Sequence, residues 1–466
     1  MSDLVVAANR GPYSLGEADN GELTVGPAGG GLAPSLASAL RARGEKAVWV
    51  ASAMSPLERR AAERGGVETG DSELGLRLVP LPEETYRAAY DVVSNATLWF
   101  LFHGLFDSAR RPLFDRRWWE AWEQFRRYNA AFSTEVAEAA NEKAVVLVND
   151  YHLPLLGGML ARARPDLRTV HFTHTPFAEP VELALLPREV SRQLMEGMSG
   201  FGACGFHTAR WEGAFCRSSM ATLGKVATTF SCGLGADVAR LHEVAASPEC
   251  DEALTALDEV VGERAVIVRS DRVELSKNLL RGFHAFSALL EERPGLRGRV
   301  CFVARAYASR ESLSDYLAYR AEAEHLVEVL NERWTPLCGG DPPILFQVDD
   351  DFPSTVAAFR RYDVLLVNPV RDGMNLVAKE GPALNERHGV LVLSEQAGAY
   401  EEMSEAAIGI HPFDVAGTAA GLATALEMGA EERRRRSSAL SELAVACPPA
   451  EWLESLLERA RPAGSS

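Results

Sequence analysis

Short apolar runs recur along the chain and are separated by segments with helical periodicity. The runs are continuous in apolar residues rather than alternating, which is typical of strands buried on both faces of a parallel sheet. They lie at residues 4–9, 47–52, 144–150, 169–174, 265–270, 299–305, 343–348, 363–368 and 389–394. Between such runs, residues 115–140 and 319–334 carry apolar side chains at helical spacing. This alternation predicts an α/β fold built on doubly wound parallel sheets.

The length of the chain predicts more than one domain. Its 466 residues exceed what one hydrophobic core holds, since single cores rarely grow beyond about 250–300 residues. The alternation pauses at residues 231–263, which hold glycines, a proline and a modest helix. We therefore predict two Rossmann-like domains, residues 1–237 and 238–448, facing each other across a cleft at the carboxyl ends of their strands. Residues 449–466 are predicted to form a C-terminal helix and tail.

Charge and cysteine usage exclude several classes of partner. A formal net charge of −17 argues against nucleic acid or an anionic membrane surface. No apolar run approaches the roughly 20 residues needed to cross a bilayer. The 7 cysteines are scattered without a C-x-x-C pair, so neither a disulfide framework nor a zinc knuckle is expected, and a reducing cytoplasm fits. A few convergent arginines can still bind a small anion.

In the first half of the chain, polar groups follow several of the predicted strands. Arg10 follows the first strand, and residues 26–36 form a glycine-rich loop whose backbone amides could approach an anion. The loop fits neither the P-loop nor the dinucleotide fingerprint; by itself a flexible loop is the better interpretation, and Arg10 favours anion binding. His152, His171 and His174 lie on separate loops without the spacing of metal ligands, so no metal site is predicted.

The second half carries basic residues at two predicted strand ends. Arg272 and Lys277 lie on one strand-to-helix connection, where a guanidinium fork and an ammonium group suit a diphosphate. Two exposed basic residues without a ligand are the alternative. Arg305 and Arg310 follow another strand, and one of them is expected to be structural. The acidic run at 349–351 could be a metal motif of metal-dependent glycosyltransferases, but solvated aspartates are at least as good an interpretation.

Seven segments taken together resemble one enzyme family. In chain order they read NRGPYS, AGGGLA, YDVVSNATLW, VNDYHLPLL, HTPF, DRVELSKN and RDGMNLVAKE. The set resembles the trehalose-6-phosphate synthases, retaining glycosyltransferases with two Rossmann-like domains (the GT-B fold), and covers nearly the whole chain. The resemblance implies transfer of glucose from a nucleotide-diphosphate glucose to glucose 6-phosphate, without a cofactor or metal. It also implies that the C-terminal helix crosses back to the first domain.

The resemblance assigns roles position by position. Contacts to the acceptor glucose 6-phosphate are implied for Arg10, Tyr90, Trp99, Asp150 and Arg310. Contacts to the donor are implied for Gly30, Gly31, Arg272, Lys277, Gly373, Met374, Asn375, Leu376, Val377 and Glu380. The catalytic group is implied to be Arg272, Lys277, Asp372 and His174. Glu380 matches the glutamate that binds the ribose in this family. Asn149, the residue before Asp150, departs from the family's motif, which has a histidine at that position.

The base of the donor nucleotide follows from a separate argument. Asp349 or Asp350 could accept both N–H groups of a guanine Watson–Crick edge, whereas a carboxylate would repel the two carbonyls of uracil. The sequence therefore favours GDP-glucose, with UDP-glucose as the alternative donor.

Two other functions stay open at this point. One is a related pseudo-glycosyltransferase or glucosylglycerol-phosphate synthase, against which the complete acceptor set argues. The other is a non-catalytic regulatory subunit that binds sugar phosphate, which would be expected to lose residues such as Arg272, Lys277 and Asp372. The expected partners are the two small-molecule substrates, and a homo-oligomer is left open.

Overall fold

The computed structural model describes residues 1–17, 23–27, 32–64 and 67–460, and the chain divides into two compact units. The first unit contains Met1–Gly233 and the helix that begins at Pro449; the second contains Leu234–Pro448. The predicted Gly30 and Gly31 lie outside the described residues.

The division between the units follows Gly233 rather than Asp237. The segment after Gly233 is tied to the end of the second unit, because the Gly235 N–H donates to the Cys447 carbonyl at 2.8 Å and the Ala236 N–H to that of Ala444 at 3.0 Å. These backbone bonds place the segment in the second unit.

The first unit is built on a parallel sheet. Its strands are β1 (Ser2–Ala8), β2 (Tyr13–Glu17), β3 (Leu23–Pro27), β4 (Ala47–Ser52), β5 (Leu74–Val79), β6 (Ala140–Asn149), β7 (Arg168–Thr173), β8 (Ala203–Phe206) and β9 (Thr229–Ser231). Seven of them form the sheet in the order β5-β4-β1-β6-β7-β8-β9, and β2 and β3 form an antiparallel hairpin. The apolar runs of β1 and β6, residues 4–7 and 144–148, are buried, as parallel strands covered on both faces predict.

The helices of the first unit connect these strands. They are α1 (Leu32–Ala42), α2 (Pro56–Glu63), α3 (Glu83–Arg87), a π-helix (Ala88–Leu98), α4 (Trp99–Phe102), α5 (Arg116–Ala139), α6 (Leu156–Ala163), α7 (Pro180–Leu183), α8 (Arg188–Met198) and α9 (Ala209–Leu223).

The second unit repeats this architecture with six strands. They are β10 (Ala265–Arg272), β11 (Val300–Tyr307), β12 (Ile344–Val348), β13 (Val364–Val367), β14 (Val390–Ser394) and β15 (Ile408–Ile410), in the order β12-β11-β10-β13-β14-β15. All pairs are parallel.

The helices of the second unit, and the one that returns to the first, complete the chain. They are α10 (Val238–Ala245), α11 (Pro248–Val261), α12 (Leu279–Glu292), α13 (Ser314–Trp334), α14 (Phe352–Arg361), α15 (Val377–Leu384), α16 (Tyr400–Met403), α17 (Val415–Glu427), α18 (Ala430–Ala444) and α19 (Pro449–Arg459), with 3₁₀ turns at Leu275–Lys277, Pro294–Leu296 and Thr335–Leu337.

The C-terminal helix α19 belongs to the first unit. Its Trp452 is fully buried, with its ring edge-to-face against Phe172 at 4.9 Å between centroids and tilted against His174 at 5.7 Å. The helix therefore packs beside the end of β7.

The predicted fold class is confirmed, because both sheets are parallel and doubly wound. Numbered along each sheet, the strands follow the order 3-2-1-4-5-6 of dinucleotide-binding folds, with one extra strand in the first unit. Such sheets bind ligands outside the carboxyl ends of the strands where the order reverses. In these units that point lies between β1 and β6, and between β10 and β13.

Every strand predicted from an apolar run is present. The strands that the sequence did not predict are β2, β3, β5, β8, β9 and β15, most of which are short or carry glycine. None of the helices within the described ranges is both long and apolar enough to span a membrane. Cys204, Cys216, Cys250, Cys301 and Cys338 are free thiols.

Candidate active site

In the first unit, Arg10, Asp150 and His174 each follow the carboxyl end of a strand, β1, β6 and β7 respectively. Arg10 is exposed, and its backbone is held because its carbonyl accepts from the Trp49 indole N–H at 3.0 Å. The preceding Asn9 is buried and accepts from Tyr128 at 2.9 Å. A rigid backbone thus presents the Arg10 guanidinium at the switch point of the sheet.

Asp150 has an uncommon backbone conformation that turns the chain out of β6. Its φ is +71°, in the left-handed region that residues other than glycine rarely adopt. Its Oδ1 accepts from the His174 backbone N–H at 3.3 Å, and its carbonyl lies 3.1 Å from His171 Nε2. Left-handed residues of this kind cluster at ligand sites. The structure therefore brings Asp150 and His174 together, and their contacts with the two substrates stay a prediction.

The His174 ring lies between Asn149 and His207. Its Nε2 is 3.1 Å from Asn149 Oδ1, and its Nδ1 is 3.1 Å from His207 Nε2. With Asn149 Oδ1 as acceptor, the proton lies on Nε2 and His207 donates to Nδ1. Burial, with His207 and His171 nearby, holds the pKa of His174 well below its ordinary value. His174 is thus a neutral hydrogen-bonding group at pH 7 rather than a cation.

Tyr90 and Trp99, the predicted aromatic contacts, lie within and directly after the π-helix. Such helices are rare and occur often at functional sites. The Tyr90 ring stacks on His152 at 5.7 Å, and Trp99 is tilted against Tyr151 at the same separation. Because Tyr151 and His152 directly follow Asp150, the aromatic residues and the Asp150 turn form one cluster.

In the second unit, Lys277 and Asp372 form an ion pair at the switch point between β10 and β13. The Lys277 ammonium lies 2.8 Å from Asp372 Oδ2 and 3.8 Å from Asp271 Oδ1. Burial alone would lower the pKa of Lys277, but the carboxylates of Asp372 and Asp271 outweigh it and raise the pKa. Lys277 is therefore a cation at neutral pH. Asn375, at φ +69°, also donates to Asp372 Oδ2 at 3.2 Å.

The loop that carries Asp372 and Gly373 is held by the segment that follows β14. The Gly398 N–H donates to the Asp372 carbonyl at 3.2 Å, and the Ala399 N–H to that of Met374 at 2.8 Å. A Cβ on Gly398 would lie 1.8 Å from the Gly373 carbonyl oxygen. Met374 is buried, whereas Leu376 and Val377 are half-buried where α15 begins. The predicted donor loop thus has its geometry fixed by close backbone contact.

Arg272 and Arg310, predicted to bind different substrates, meet on one carboxylate. Arg272 Nη1 lies 3.0 Å from Glu274 Oε1, and Arg310 Nη1 lies 2.8 Å from the same oxygen. Arg310 also donates to the Tyr316 hydroxyl at 3.0 Å and has φ +50°. Its side chain is 6% exposed, whereas that of Arg272 is 36% exposed.

Arg305 is the structural member of the pair Arg305 and Arg310 that the sequence singled out. It is buried and donates to Gln347, to Asp349 at 3.2 Å and to Asp351 at 3.4 Å. Asp351 caps α14, accepting from the Ser354 N–H at 3.0 Å. Asp349 is therefore partly neutralised by Arg305, while Asp349 and Asp350 are both exposed. Their contact with a guanine base stays a prediction.

Glu380 lies on the first turn of α15, and its environment shifts its titration. Burial of the carboxyl group raises its pKa to about 7, with Asp237 adding to the effect and Arg240 and Lys277 opposing it. The group predicted to contact the ribose thus changes charge near neutral pH.

The sequence did not assign Glu274, Asp271, His207 or Gly398 to the site. Glu274 and Asp271 lie inside the segment quoted for Arg272 and Lys277, so their position at a strand end was a usable signal. His207 follows β8, which is only 4 residues long and was not predicted. For Gly398 no local pattern was informative, because its role depends on the packing of a distant loop.

The family model of Glycosyltransferase family 20 matches residues 2–461 of this chain. The chain belongs to this family. A curated relative, the bifunctional trehalose-6-phosphate synthase/phosphatase of Thermoproteus tenax, is 33% identical over 94% of this chain and 61% of its own length. The chain thus spans less than two thirds of that relative. The trehalose-6-phosphate synthase of Mycobacterium sp. strain JLS is 31% identical over 98% of this chain and 96% of its own length.

Solved structures agree with this family assignment. A structure described as trehalose-6-phosphate from E. coli bound with UDP-2-fluoro glucose has a TM-score of 0.84 at 27% identity and covers 99% of both chains. A UDP-forming alpha,alpha-trehalose-phosphate synthase from Burkholderia xenovorans in complex with glucose-6-phosphate has the same TM-score and identity, covering 98% of this chain and 100% of its own. This family 20 chain is therefore a retaining glycosyltransferase of GT-B fold.

Proposed function

We propose that the chain is an α,α-trehalose-6-phosphate synthase that transfers glucose, with retention, from a nucleotide-diphosphate glucose to glucose 6-phosphate. The observation that carries the proposal is the Lys277–Asp372 pair at the switch point of the second sheet, in a chain that matches family 20 along nearly all of its length. Relatives named for this activity support it.

In the proposed reaction, the bond between glucose C1 and the donor phosphate oxygen breaks, and the acceptor's C1 hydroxyl oxygen forms the new bond on the same face. The proton of that hydroxyl passes to the leaving phosphate oxygen. Negative charge therefore grows on the departing diphosphate, which Lys277 and Arg272 stabilise. Asp372 and the backbone after it hold the transferred glucose. No step of the proposal uses a metal or cofactor.

The test of the proposed function is product identification with purified protein. Glucose 6-phosphate and a nucleotide glucose should yield a non-reducing disaccharide phosphate whose two anomeric carbons are both in α configuration, as read by NMR. A product made only from another acceptor, such as glycerol 3-phosphate, would favour the sibling enzyme. Binding of glucose 6-phosphate without turnover would favour the regulatory subunit. The proposal also places the protein in the cytoplasm, which the free thiols of Cys204, Cys250 and Cys301 support.

For the donor base, we expect GDP-glucose to have a larger kcat/KM than UDP-glucose. The physical reason is that the carboxylate of Asp349 or Asp350, both exposed, would accept the two N–H groups of guanine and repel the carbonyls of uracil. The measurement compares both donors with saturating glucose 6-phosphate. The variant Asp350→Asn should narrow the ratio between the donors, whereas a larger kcat/KM for UDP-glucose in the wild type would overturn the guanine argument.

Glu380 predicts a pH dependence of donor binding. Ribose hydroxyls donate more strongly to a carboxylate than to a neutral carboxyl, so the donor KM should fall by about tenfold as pH rises from 6 to 8. The variant Glu380→Gln should lack this change in KM. Because the substrate phosphates titrate identically in both assays, comparing the pH profiles of the variant and the wild type isolates the effect of Glu380. An identical pH profile in both proteins would contradict the ribose role.

The same shift has a consequence for stability. Between the ordinary carboxyl pKa of 4.5 and about 7, the folded chain keeps a proton that the unfolded chain has lost. The contribution of Glu380 to the free energy of unfolding therefore falls as pH rises through this range and is constant above it. Thermal melts of the wild type and Glu380→Gln between pH 5 and 8 measure this difference.

A further inference from the structure

Glu274 is a buried carboxylate that the proposed reaction does not use. It lies between the two basic groups predicted to bind the two substrates, and its side chain is fully buried. Its Oε1 accepts hydrogen bonds from Arg310 and from the Ser309 hydroxyl, each at 2.8 Å, and forms an ion pair with Arg272 Nη1 at 3.0 Å. Three groups from two different strand ends thus share one oxygen atom.

The charges around Glu274 show that this is a strong contact. Burial by itself would raise the pKa of Glu274, but Arg272, Arg310 and the nearby Lys277 outweigh it and lower the pKa to about 2. Glu274 is therefore ionised throughout the physiological range. Hydrogen bonds between ionised partners are shorter and about twice as strong as neutral ones.

The position of Arg310 depends on this carboxylate. Arg310 lies in a turn after β11 with left-handed backbone, and Arg272 ends the neighbouring strand β10. The two strands pair in register up to Arg272 and Tyr307. Because long basic side chains have many rotamers, an arginine without an anchor loses conformational entropy on binding a phosphate. The Glu274 carboxylate removes that cost for both residues in advance.

We propose that Glu274 is a positioning residue that preorganises Arg272 for the donor diphosphate and Arg310 for the acceptor phosphate through one shared oxygen. The assignment of the two substrates to the two arginines rests on the proposed function. A consequence is that loss of the Glu274 charge weakens the binding of both substrates, although the proposal has neither substrate in contact with Glu274.

The experiment compares Glu274→Gln with the wild type in steady-state kinetics with both substrates varied. The glutamine keeps the shape and the acceptor oxygen but removes the charge. We expect KM to rise about tenfold for the donor and about tenfold for glucose 6-phosphate, since each arginine loses one charge-assisted partner. A purely structural role would lower the amount of active protein and leave both KM values unchanged.

Glu432→Gln is a matched control. Glu432 also accepts from two arginines, Arg435 and Arg436, each at 2.7 Å, and its pKa is likewise lowered to about 2 by these two groups. It lies on α18 at the surface, so both KM values should stay unchanged. Glu274→Asp keeps the negative charge on a shorter side chain. Its affinities for both substrates should therefore lie between those of Glu274→Gln and the wild type.

Calorimetric titration with glucose 6-phosphate and with GDP or UDP gives a readout that needs no turnover. If the wild type binds both ligands but makes no disaccharide phosphate, the proposed function fails, and a parallel loss of both affinities in Glu274→Gln still supports the positioning role. If the wild type is active and Glu274→Gln weakens one substrate or neither, the shared anchor is wrong. Should Glu274→Gln fail to fold, Ser309→Ala and Glu274→Asp test the same oxygen, and unequal effects on the two affinities overturn the proposal.

Discussion

Replacing Lys277 with methionine is expected to lower kcat by about a thousandfold, the size of effect seen when a group that stabilises transition-state charge is removed. The Lys277 ammonium, held as a cation by Asp372 and Asp271, is one of the two cations proposed to stabilise the leaving diphosphate. Methionine keeps the length of the side chain and removes the charge. It also leaves two carboxylates without their shared cation, which further disfavours an anionic leaving group. Initial rates under saturation with both substrates measure the change.

The matched control for this prediction is Lys379→Met. Lys379 is fully buried and pairs with Glu402 at 2.6 Å, so its replacement also breaks a buried ion pair and should cost about 3–5 kcal/mol of stability. Below the melting temperature, however, kcat should stay close to that of the wild type, because Lys379 belongs to a separate pair. Equal losses of kcat in both variants would show that Lys277 acts only through stability.

The second large effect is expected from Gly398→Ala, with a loss in kcat/KM of about a hundredfold, since a displacement of about 1 Å at reacting groups has consequences of this size. The added Cβ would lie 1.8 Å from the Gly373 carbonyl oxygen, which is backbone and has no rotamer by which to avoid it. The loop that carries Asp372 must therefore shift. Kinetics with both substrates, combined with a thermal melt, separate loss of function from loss of fold.

Gly429→Ala controls for the added methyl group. Gly429 precedes α18, has φ −65°, and a Cβ there would meet no atom within 4 Å. Its activity and melting temperature should remain close to those of the wild type. Wild-type kinetics in Gly398→Ala would mean that the Asp372 loop tolerates displacement and does not fix the transferred sugar.

The sheets were predictable because their strands are buried on both faces. Such strands must contain a continuous apolar run, and β1, β6, β10 and β13 contain these runs at residues 4–8, 144–148, 265–268 and 364–367. The strands missed were those with weaker signals: β8 contains a glycine and has 4 residues, and β15 has 3. In such short segments, pairing with a neighbouring strand rather than local composition decides the conformation.

The site was predictable only in part. Residues at a strand end or in the connection that follows it, such as Arg10, Asp150, Arg272 and Asp372, were predicted because the carboxyl edge of a parallel sheet binds ligands wherever the fold occurs. The pairing of these groups with one another could not be predicted from the sequence. The contact between Glu274 and Arg310 joins residues 36 positions apart, and no periodicity in the sequence relates them.

The sequence by itself determined the fold class, the two parallel sheets and the strand ends at which the proposed ligand groups lie. These follow from local burial patterns, which each segment carries independently. Only the tertiary structure decided that the two arginines share one buried carboxylate, that His174 is neutral between Asn149 and His207, and that Gly398 supports the Asp372 loop. Those features depend on distances between separate elements, and such distances are set by the packing of the whole domain rather than by any single stretch of chain.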